Sequence, residues 1–354
     1  MNKKIRIIAE EDALLQLSSN EEFNKGSKLK SILRNCAEII LIMDENEFGA
    51  QWEDSESNIR KFVEAYDMPK PRAISGLNKI YSNPGLCYKL DPFAIWFFNK
   101  STADLKKFRN YLGVWAINTS ELTDNFFYIN HSREYEKNDR INGTRGNGWG
   151  NFLEQVPGFL PPINSIVIND RYLVYNTNEV NADKIGFAGL NNLKILLKEL
   201  LPKNLKIPFH VLIYCKHPKL DMDKTDVIVQ KFIRDVKNLR RYEIKVEIVF
   251  GAALHKRGLY SNYFLMNADR GFNAFYNLEN NKLCGENDLT IKSYLNDAEA
   301  SGDTTYDEAR GKIIKISNAC KEIFIDPIIK DENLEKISRV KTECDEFFYN
   351  RLFS

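Results

Sequence analysis

The chain has 354 residues, of which 43% are hydrophobic and 12% aromatic, so it is long and apolar enough for two domains with their own cores. Its 50 basic and 49 acidic side chains leave a net charge of +1. A global positive field for nucleic acid or membranes is therefore excluded, and any such contact needs a local patch.

The N-terminal stretch lacks the pattern of a signal peptide, because Glu10, Glu11 and Asp12 interrupt its apolar run too early. No apolar run approaches the roughly 18 residues that a membrane-spanning helix needs. The six cysteines are scattered without a CxxC pair, which predicts reduced thiols rather than disulfides or a zinc site. These features predict a cytoplasmic protein with no membrane partner.

Residues 1–150 are predicted to form an N-terminal α/β domain. Apolar runs at 5–9 and 37–43 predict strands, and residues 54–66 and 75–81 predict helices. Aromatic-rich segments at 92–98 and 112–117 are expected to pack against the same sheet, which we expect to be mixed. The pattern identifies no family for this domain.

A basic, glycine-rich loop is predicted over residues 133–151. It contains Arg140, Arg145 and Trp149, and cations interleaved with aromatic rings are typical of surfaces that follow a nucleic-acid backbone and stack a base. A long surface loop without a ligand has the same composition. Prolines and glycines then predict a linker at 151–162 between the two domains.

Residues 163–354 are predicted to form the second domain. A strand or hairpin at 163–175 is followed by helices at 191–201 and 223–242 and by strands at 209–214, 244–251, 258–267 and 271–276. The resulting order, β-α-β-α-β-β-β, implies a mixed sheet with helices on its faces. Two further helices are predicted at 304–324 and 333–348.

The most informative stretch surrounds His255, which follows a strand that ends at Gly251. Arg257 stands two residues later, and Asn273 follows Gly271 in a Gly-x-Asn turn. This arrangement resembles the phospholipase D superfamily, whose signature is an HxK pair, an acidic residue and a Gly/Ser/Asn turn. The resemblance implies that His255 attacks phosphorus, while Arg257 and Asn273 stabilise the phosphoryl oxygens without a metal cofactor.

The match to that signature is incomplete. Arg257 stands where lysine is expected, Asn262 occupies the acidic position, and the chain has one motif where active members assemble two. The resemblance therefore implies a degenerate half-domain that binds nucleic acid or a nucleotide, of the kind that accompanies bacterial antiviral defence or mobile elements. The structural alternative is that His255 ends a strand and Arg257 forms a salt bridge with a carboxylate such as Asp170.

Two acidic positions are further candidates. Asp170 and Arg171 follow a predicted strand, where they either orient His255 or form a plain ion pair. Asp44 and Glu47 follow another buried strand, where carboxylates hold Mg²⁺ for phosphodiester hydrolysis or are simply solvated.

A second basic surface is predicted along the helix at 223–242, where Arg234, Arg240 and Arg241 recur at near-helical spacing. Phosphates would find several cations within about three turns, although solvation alone also explains such a face.

Three functions remain open at this point. The leading one is a protein that binds nucleic acid or a nucleotide through a degenerate phospholipase D-like domain. The second is an active nuclease or phosphodiesterase, which uses His255 across a homodimer or Mg²⁺ at Asp44. The third is a non-catalytic scaffold that binds a partner such as a neighbouring defence protein.

Overall fold

The computed structural model describes residues 4–121, 129–136, 148–157, 160–174, 186–218, 220–272, 274–277, 282–283, 287–298, 300, 303–325, 339–341 and 350–353. The predicted α/β class is confirmed, because helices and strands alternate along the chain and form two main sheets. Within these residues, no helix is both long and apolar enough to cross a membrane.

A five-stranded sheet forms the N-terminal part. Its strands are β1 Ile5–Ala9, β2 Ala37–Leu41, β3 Arg72–Ala73, β4 Ile95–Phe97 and β5 Trp115–Ile117. They lie in the order β3-β2-β1-β4-β5, and every described pairing is parallel, whereas the sequence predicted a mixed sheet. Ile7 and Ile8 enter different hydrophobic clusters, so both faces are covered and the strands are continuously apolar.

Helices connect these parallel strands. They are α1 Glu11–Leu15, α2 Glu21–Asn24, α3 Lys28–Asn35, α4 Glu45–Glu53, α5 Asn58–Ala65, α6 Gly85–Lys89 and α7 Thr102–Leu112, with 3₁₀ turns at Gln16–Ser19, Leu77–Tyr81 and Thr119–Glu121. The side chains of Ser27, Asp44 and Ser101 accept backbone N–H groups at the starts of α3, α4 and α7. The helix predicted at 54–66 is α5, and the one predicted at 75–81 is a 3₁₀ segment.

An eight-stranded sheet forms the second part. Its strands are β6 Asn130–Tyr135, β7 Ser165–Asn169, β8 Phe209–Cys215, β9 Ile244–Phe250, β10 Gly258–Ser261, β11 Phe264–Ala268, β14 Asn287–Ser293 and β15 Arg339–Lys341, while β12 Phe275–Asn277 and β13 Lys282–Leu283 form a separate hairpin. The order is β15-β9-β8-β7-β10-β11-β14-β6. β7, β8 and β9 are parallel and the remaining pairs antiparallel, so the sheet is mixed as predicted.

The helices of this part are α8 Gly148–Glu154, α9 Gly186–Leu200, α10 Met222–Lys237 and α11 Thr305–Ile325, followed by a 3₁₀ turn at Arg351–Phe353. The helices predicted at 191–201 and 304–324 correspond to α9 and α11. The helix predicted at 223–242 ends at Lys237, so Arg240 and Arg241 lie beyond it.

Three segment predictions are corrected by the structure. Residues 258–267 form the hairpin β10–β11 rather than one strand, because the chain turns at Asn262 and Tyr263. The helix predicted at 333–348 is wrong at 339–341, which form β15. The loop predicted over 133–151 begins inside β6 and ends inside α8, and β6 joins the second sheet although it precedes the predicted linker.

The β10–β11 turn joins the second sheet to the first. Tyr263 Oη donates to the carbonyl of Ala94 at 3.1 Å and accepts the N–H of Trp115 at 3.0 Å. Asn164, just before β7, donates from Nδ2 to the carbonyls of Leu112 and Gly113. These buried bonds fix the turn against the ends of β4, α7 and β5.

Gly113 offers a direct test of this junction. Its φ is +58°, and a Cβ built there would lie 2.4 Å from the carbonyl oxygen of Ile163. We expect Gly113→Ala to lower the free energy of unfolding by about 3 kcal/mol, because left-handed strain adds to a backbone clash. Gly26, with φ +95° and open space around it, is the matched control, and Gly26→Ala should cost about 1 kcal/mol. Equal losses in urea denaturation would show that the clash with Ile163 contributes nothing.

Candidate functional site

The carboxyl ends of β7, β8 and β9 meet at one edge of the second sheet. Because the three strands are parallel, the segments that follow them converge there, and this edge is where open α/β sheets bind ligands. The converging segments carry a set of basic side chains: Arg171, Lys216, His255, Lys256, Arg257 and, from the turn after β11, Arg270. The sequence predicted His255, Arg257 and Arg171 as neighbours at a sheet edge.

A buried carboxylate lies among these basic side chains. Asp170 is 1% exposed and accepts the backbone N–H groups of Tyr172 at 3.0 Å and Phe272 at 2.8 Å. Its Oδ1 lies 3.7 Å from Arg257 Nε. Burial raises the pKa of Asp170, and the two N–H groups and Arg257 oppose that shift. The predicted salt bridge between Arg257 and Asp170 is therefore confirmed.

Arg257 is held in place from several sides. Its Nη1 donates to the carbonyl of Asp269, and its guanidinium lies over the ring of Tyr172 at 5.0 Å. The guanidinium of Arg171 approaches the same ring at 5.5 Å. Two cations therefore share one aromatic ring beside a buried carboxylate.

Gly271 allows the turn after β11 to approach this pair. It has φ +95°, and a Cβ there would lie 2.6 Å from Asp170 Oδ2 and 3.1 Å from Arg257 Cδ. Any other residue would push the turn away from the ion pair. Asn273, the predicted amide of the Gly-x-Asn turn, lies outside the described residues.

The loop that carries His255 is fixed by a residue that the sequence analysis missed. Asn169, 0% exposed at the end of β7, donates from Nδ2 to the carbonyls of Leu254 at 3.0 Å and Lys256 at 2.7 Å, and accepts the N–H of Leu254 at 2.9 Å. The backbone is thus held on both sides of His255, whose side chain is exposed. The available signal was a polar Asn directly after the apolar run Ile166–Ile168.

Asp170 makes its described contacts with Arg257 and with backbone, and none of them is with His255. Its predicted role as the acidic partner of His255 stays a prediction. Asn262, at the position of the signature acid, is buried in the β10–β11 turn and bonded to backbone groups.

Of the predicted basic loop, the structure describes residues 133–136 and 148–151. Trp149 is 0% exposed and packs against Phe272 and Phe275, so its indole belongs to the core. Arg140 and Arg145 lie outside the described residues.

The three arginines of the second predicted basic surface do not share one helix, because α10 ends at Lys237, before Arg240 and Arg241. Arg240 donates to the carbonyls of Leu201 and Pro202, which satisfies backbone acceptors just after α9. Arg234 and Arg241 are exposed. One of the three cations therefore has a structural partner.

At the N-terminal sheet, Asp44 is the N-cap of α4. Its carboxylate accepts Asn46 N–H at 2.9 Å and the Ser75 hydroxyl at 3.0 Å, and these bonds lower its pKa. Glu47 lies in the first turn of α4. Among the described residues, no group of three or more His, Cys, Asp and Glu side chains is placed to hold a metal ion, and the predicted Mg²⁺ site at Asp44 and Glu47 stays a prediction.

The chain matches no protein-family model, and no curated protein matches it.

Proposed function

We propose that the edge formed by Arg171, Tyr172 and Arg257 binds the phosphate groups of nucleic acid or a nucleotide. The observation that carries this proposal is the unused donors of two adjacent guanidinium groups. Among the described residues, Arg171 Nε and Arg257 Nε are both buried without a hydrogen-bond partner. Leaving buried donors unmatched costs about 1–3 kcal/mol each, which a bound anion would offset.

Phosphate suits this arrangement better than a single carboxylate. A guanidinium group presents several N–H donors in a plane and grips phosphate oxygens in pairs. Tyr172 holds the two guanidinium groups near each other, and Lys216 and Arg270 add positive charge at the same edge. Because the net charge of the chain is only +1, this local patch is the kind of surface that phosphate binding requires.

The proposal includes a degenerate phospholipase D-like domain and a role in bacterial defence or mobile elements, as the sequence resemblance implies. Its support is the order of β7 to β11 with the intervening α9 and α10, and the position of His255 after β9. Asn262 stands where the signature has an acidic residue, and its amide is bonded to backbone groups of the turn. The absence of a carboxylate at this position supports binding over catalysis.

Arg171→Gln tests the proposal with little effect on the fold, since Arg257 keeps its pairing with Asp170. We expect the affinity for a labelled single-stranded oligonucleotide to fall about tenfold to a hundredfold, as expected for loss of a charge-assisted hydrogen bond. The slope of log affinity against log salt should decrease by about 1. Fluorescence anisotropy across a salt series, with DNA, RNA and ATP as probes, measures both quantities.

Arg34→Gln is the matched control, because Arg34 is a surface arginine of the N-terminal part that pairs with Asp67. Equal affinities for wild type, Arg34→Gln and Arg171→Gln would overturn the proposed site. The same probes incubated with EDTA report on catalysis. Cleavage that resists EDTA and disappears in His255→Ala would replace the binding function with an active phosphodiesterase.

A further inference from the structure

The starts of β8 and β9 lie at the edge of the second sheet opposite to Arg171 and Arg257. The two strands are parallel and begin with the paired residues Phe209 and Ile244. Each strand has 7 residues, so the two edges are about 20 Å apart. The segments that lead into these strands, 194–206 and 231–245, contain the C-terminal ends of α9 and α10.

Hydrogen bonds hold these two segments side by side. Arg240 Nε donates to the carbonyls of Leu201 and Pro202, both at 3.2 Å. Tyr242 Oη donates to the carbonyl of Pro202 at 2.7 Å. The side chains of segments 194–206 and 231–245 therefore form one surface, which we call the amino-edge patch.

The amino-edge patch carries a large excess of positive charge. Its two segments contain ten basic and three acidic side chains, a net charge of +7 in a chain whose total is +1. The acids are Glu199, Asp235 and Glu243, all counted at full charge, and Asp235 is paired with Lys194 at 2.9 Å. Arg240 donates to neutral carbonyls, which leave its charge uncompensated. The exposed basic side chains include Lys198, Lys203, Lys231, Arg234, Arg241 and Lys245.

Neither segment exposes an aromatic or a large apolar side chain. Phe232 is buried, and Tyr242 is half-buried with its hydroxyl bonded to Pro202. The exposed large hydrophobic residues of the described chain all lie outside both segments. Protein interfaces are anchored by aromatic and apolar side chains, and single strands by bases that stack on aromatic rings. The patch offers charge without such anchors, which suits the backbone of a duplex.

We infer that the amino-edge patch binds the phosphate backbone of a nucleic-acid duplex without reading its sequence. Duplex DNA presents one negative charge per about 1.7 Å of helix axis, so several cations of the patch meet phosphates at once. Asp221, Asp223 and Asp226 at the start of α10 interrupt the positive surface on the way to the opposite edge. The patch is therefore separate from the edge around Arg171 and Arg257, and its occupancy does not depend on the proposed function.

The test replaces three exposed cations of the patch by glutamine, in the triple variant Lys198→Gln, Lys203→Gln and Arg241→Gln. The probe is a labelled DNA duplex of about 20 base pairs, followed by fluorescence anisotropy between about 50 and 200 mM salt. We expect the triple variant to bind about a hundredfold more weakly, with a slope of log affinity against log salt lower by about 3. Duplexes of different sequence should bind the wild type with equal affinity.

The matched control is the triple variant Lys25→Gln, Arg34→Gln and Lys79→Gln, which removes the same charge from exposed positions of the N-terminal part. It should bind the duplex as wild type does, and so should Arg171→Gln. The inference is overturned if the duplex does not bind, if the patch variant keeps the wild-type affinity and slope, or if Arg171→Gln loses the affinity instead. Binding of poly-L-glutamate or of phosphatidylserine vesicles as tight as that of the duplex would also overturn it, because an acidic protein or a membrane would then fit the patch equally well.

Discussion

Asn262→Ala is expected to lower the free energy of unfolding by about 5 kcal/mol. The Asn262 side chain is 0% exposed, and its Oδ1 accepts the N–H groups of Asn164 at 3.0 Å and Ser165 at 3.1 Å, while Nδ2 donates to the carbonyl of Pro92 at 2.7 Å. Alanine leaves all three backbone groups buried without partners, at about 1–3 kcal/mol each. Urea denaturation followed by circular dichroism measures the loss.

Two neighbouring substitutions sharpen this test. Asn262→Asp keeps the acceptor but loses the donor to Pro92 and buries a charge, so it should be about as destabilising as alanine. Tyr263→Phe removes one hydroxyl, which bonds to Ala94 and Trp115, and should cost about 2 kcal/mol. A loss below about 1 kcal/mol for Asn262→Ala would mean that the turn does not join the two sheets as described.

The same residue shows where sequence reasoning stopped. Asn262 was compared with the acidic position of the phospholipase D signature, counted along what was taken for one strand. Its partners Asn164 and Pro92 are 98 and 170 residues away in the chain. Local spacing carries no information about contacts at that separation, so the hairpin and the structural use of the amide were both missed.

The helices and strands of the second sheet were easier to predict from the sequence than the β10–β11 turn. The apolar runs at β7, β8 and β9 and the periodic helices α9 and α10 have strong local patterns, because their burial recurs at fixed spacing. The end of α10 was misplaced because Arg240 and Tyr242 continue the helical spacing of the sequence. In the structure, the side chains of both residues donate to backbone carbonyls just after α9. The spacing of arginines along the sequence is the same whether an arginine caps a neighbouring helix or is solvated, so the sequence pattern does not distinguish the two.

The candidate site was predictable only in part. The ion pair of Asp170 with Arg257 had been given only as the structural alternative to a catalytic role, and the structure contains it. Asn169 and Tyr172 were not anticipated, since their roles depend on the positions of Leu254 and Arg257, more than eighty residues later. Trp149 looked like a stacking residue, but Phe272 in the turn after β11 and Phe275 of β12 pack against it.

Glu247 is a buried carboxylate whose protonation should control stability. It lies on β9 beside Leu212 of β8, is 9% exposed, and faces Cys320 of α11 closely enough that the carboxylate helps to raise the pKa of that thiol. Burial raises the pKa of Glu247 from 4.5 to about 8, and Lys245 opposes this shift. The folded protein therefore holds a proton on Glu247 at neutral pH that the unfolded chain releases.

The consequence is a loss of stability as the pH rises. Below about pH 4.5 the residue is protonated in both states, and between that value and about 8 the folded state binds the extra proton, so the free energy of unfolding falls across this range and levels off above it. The difference amounts to about 5 kcal/mol. Glu247→Gln, which stays neutral, should be more stable than wild type by that amount at pH 8.5 and nearly equal to it at pH 5.

Urea denaturation of wild type and variant at several pH values isolates this contribution, because all other titrating groups cancel in the difference. Glu53→Gln, at an exposed position at the end of α4, is the matched control for removal of one carboxylate. A stability difference between Glu247→Gln and wild type that stays constant from pH 5 to pH 8.5 would mean that Glu247 is ionised in the folded protein. Its carboxylate would then need a cationic partner other than Lys245 at the contact between β9 and α11.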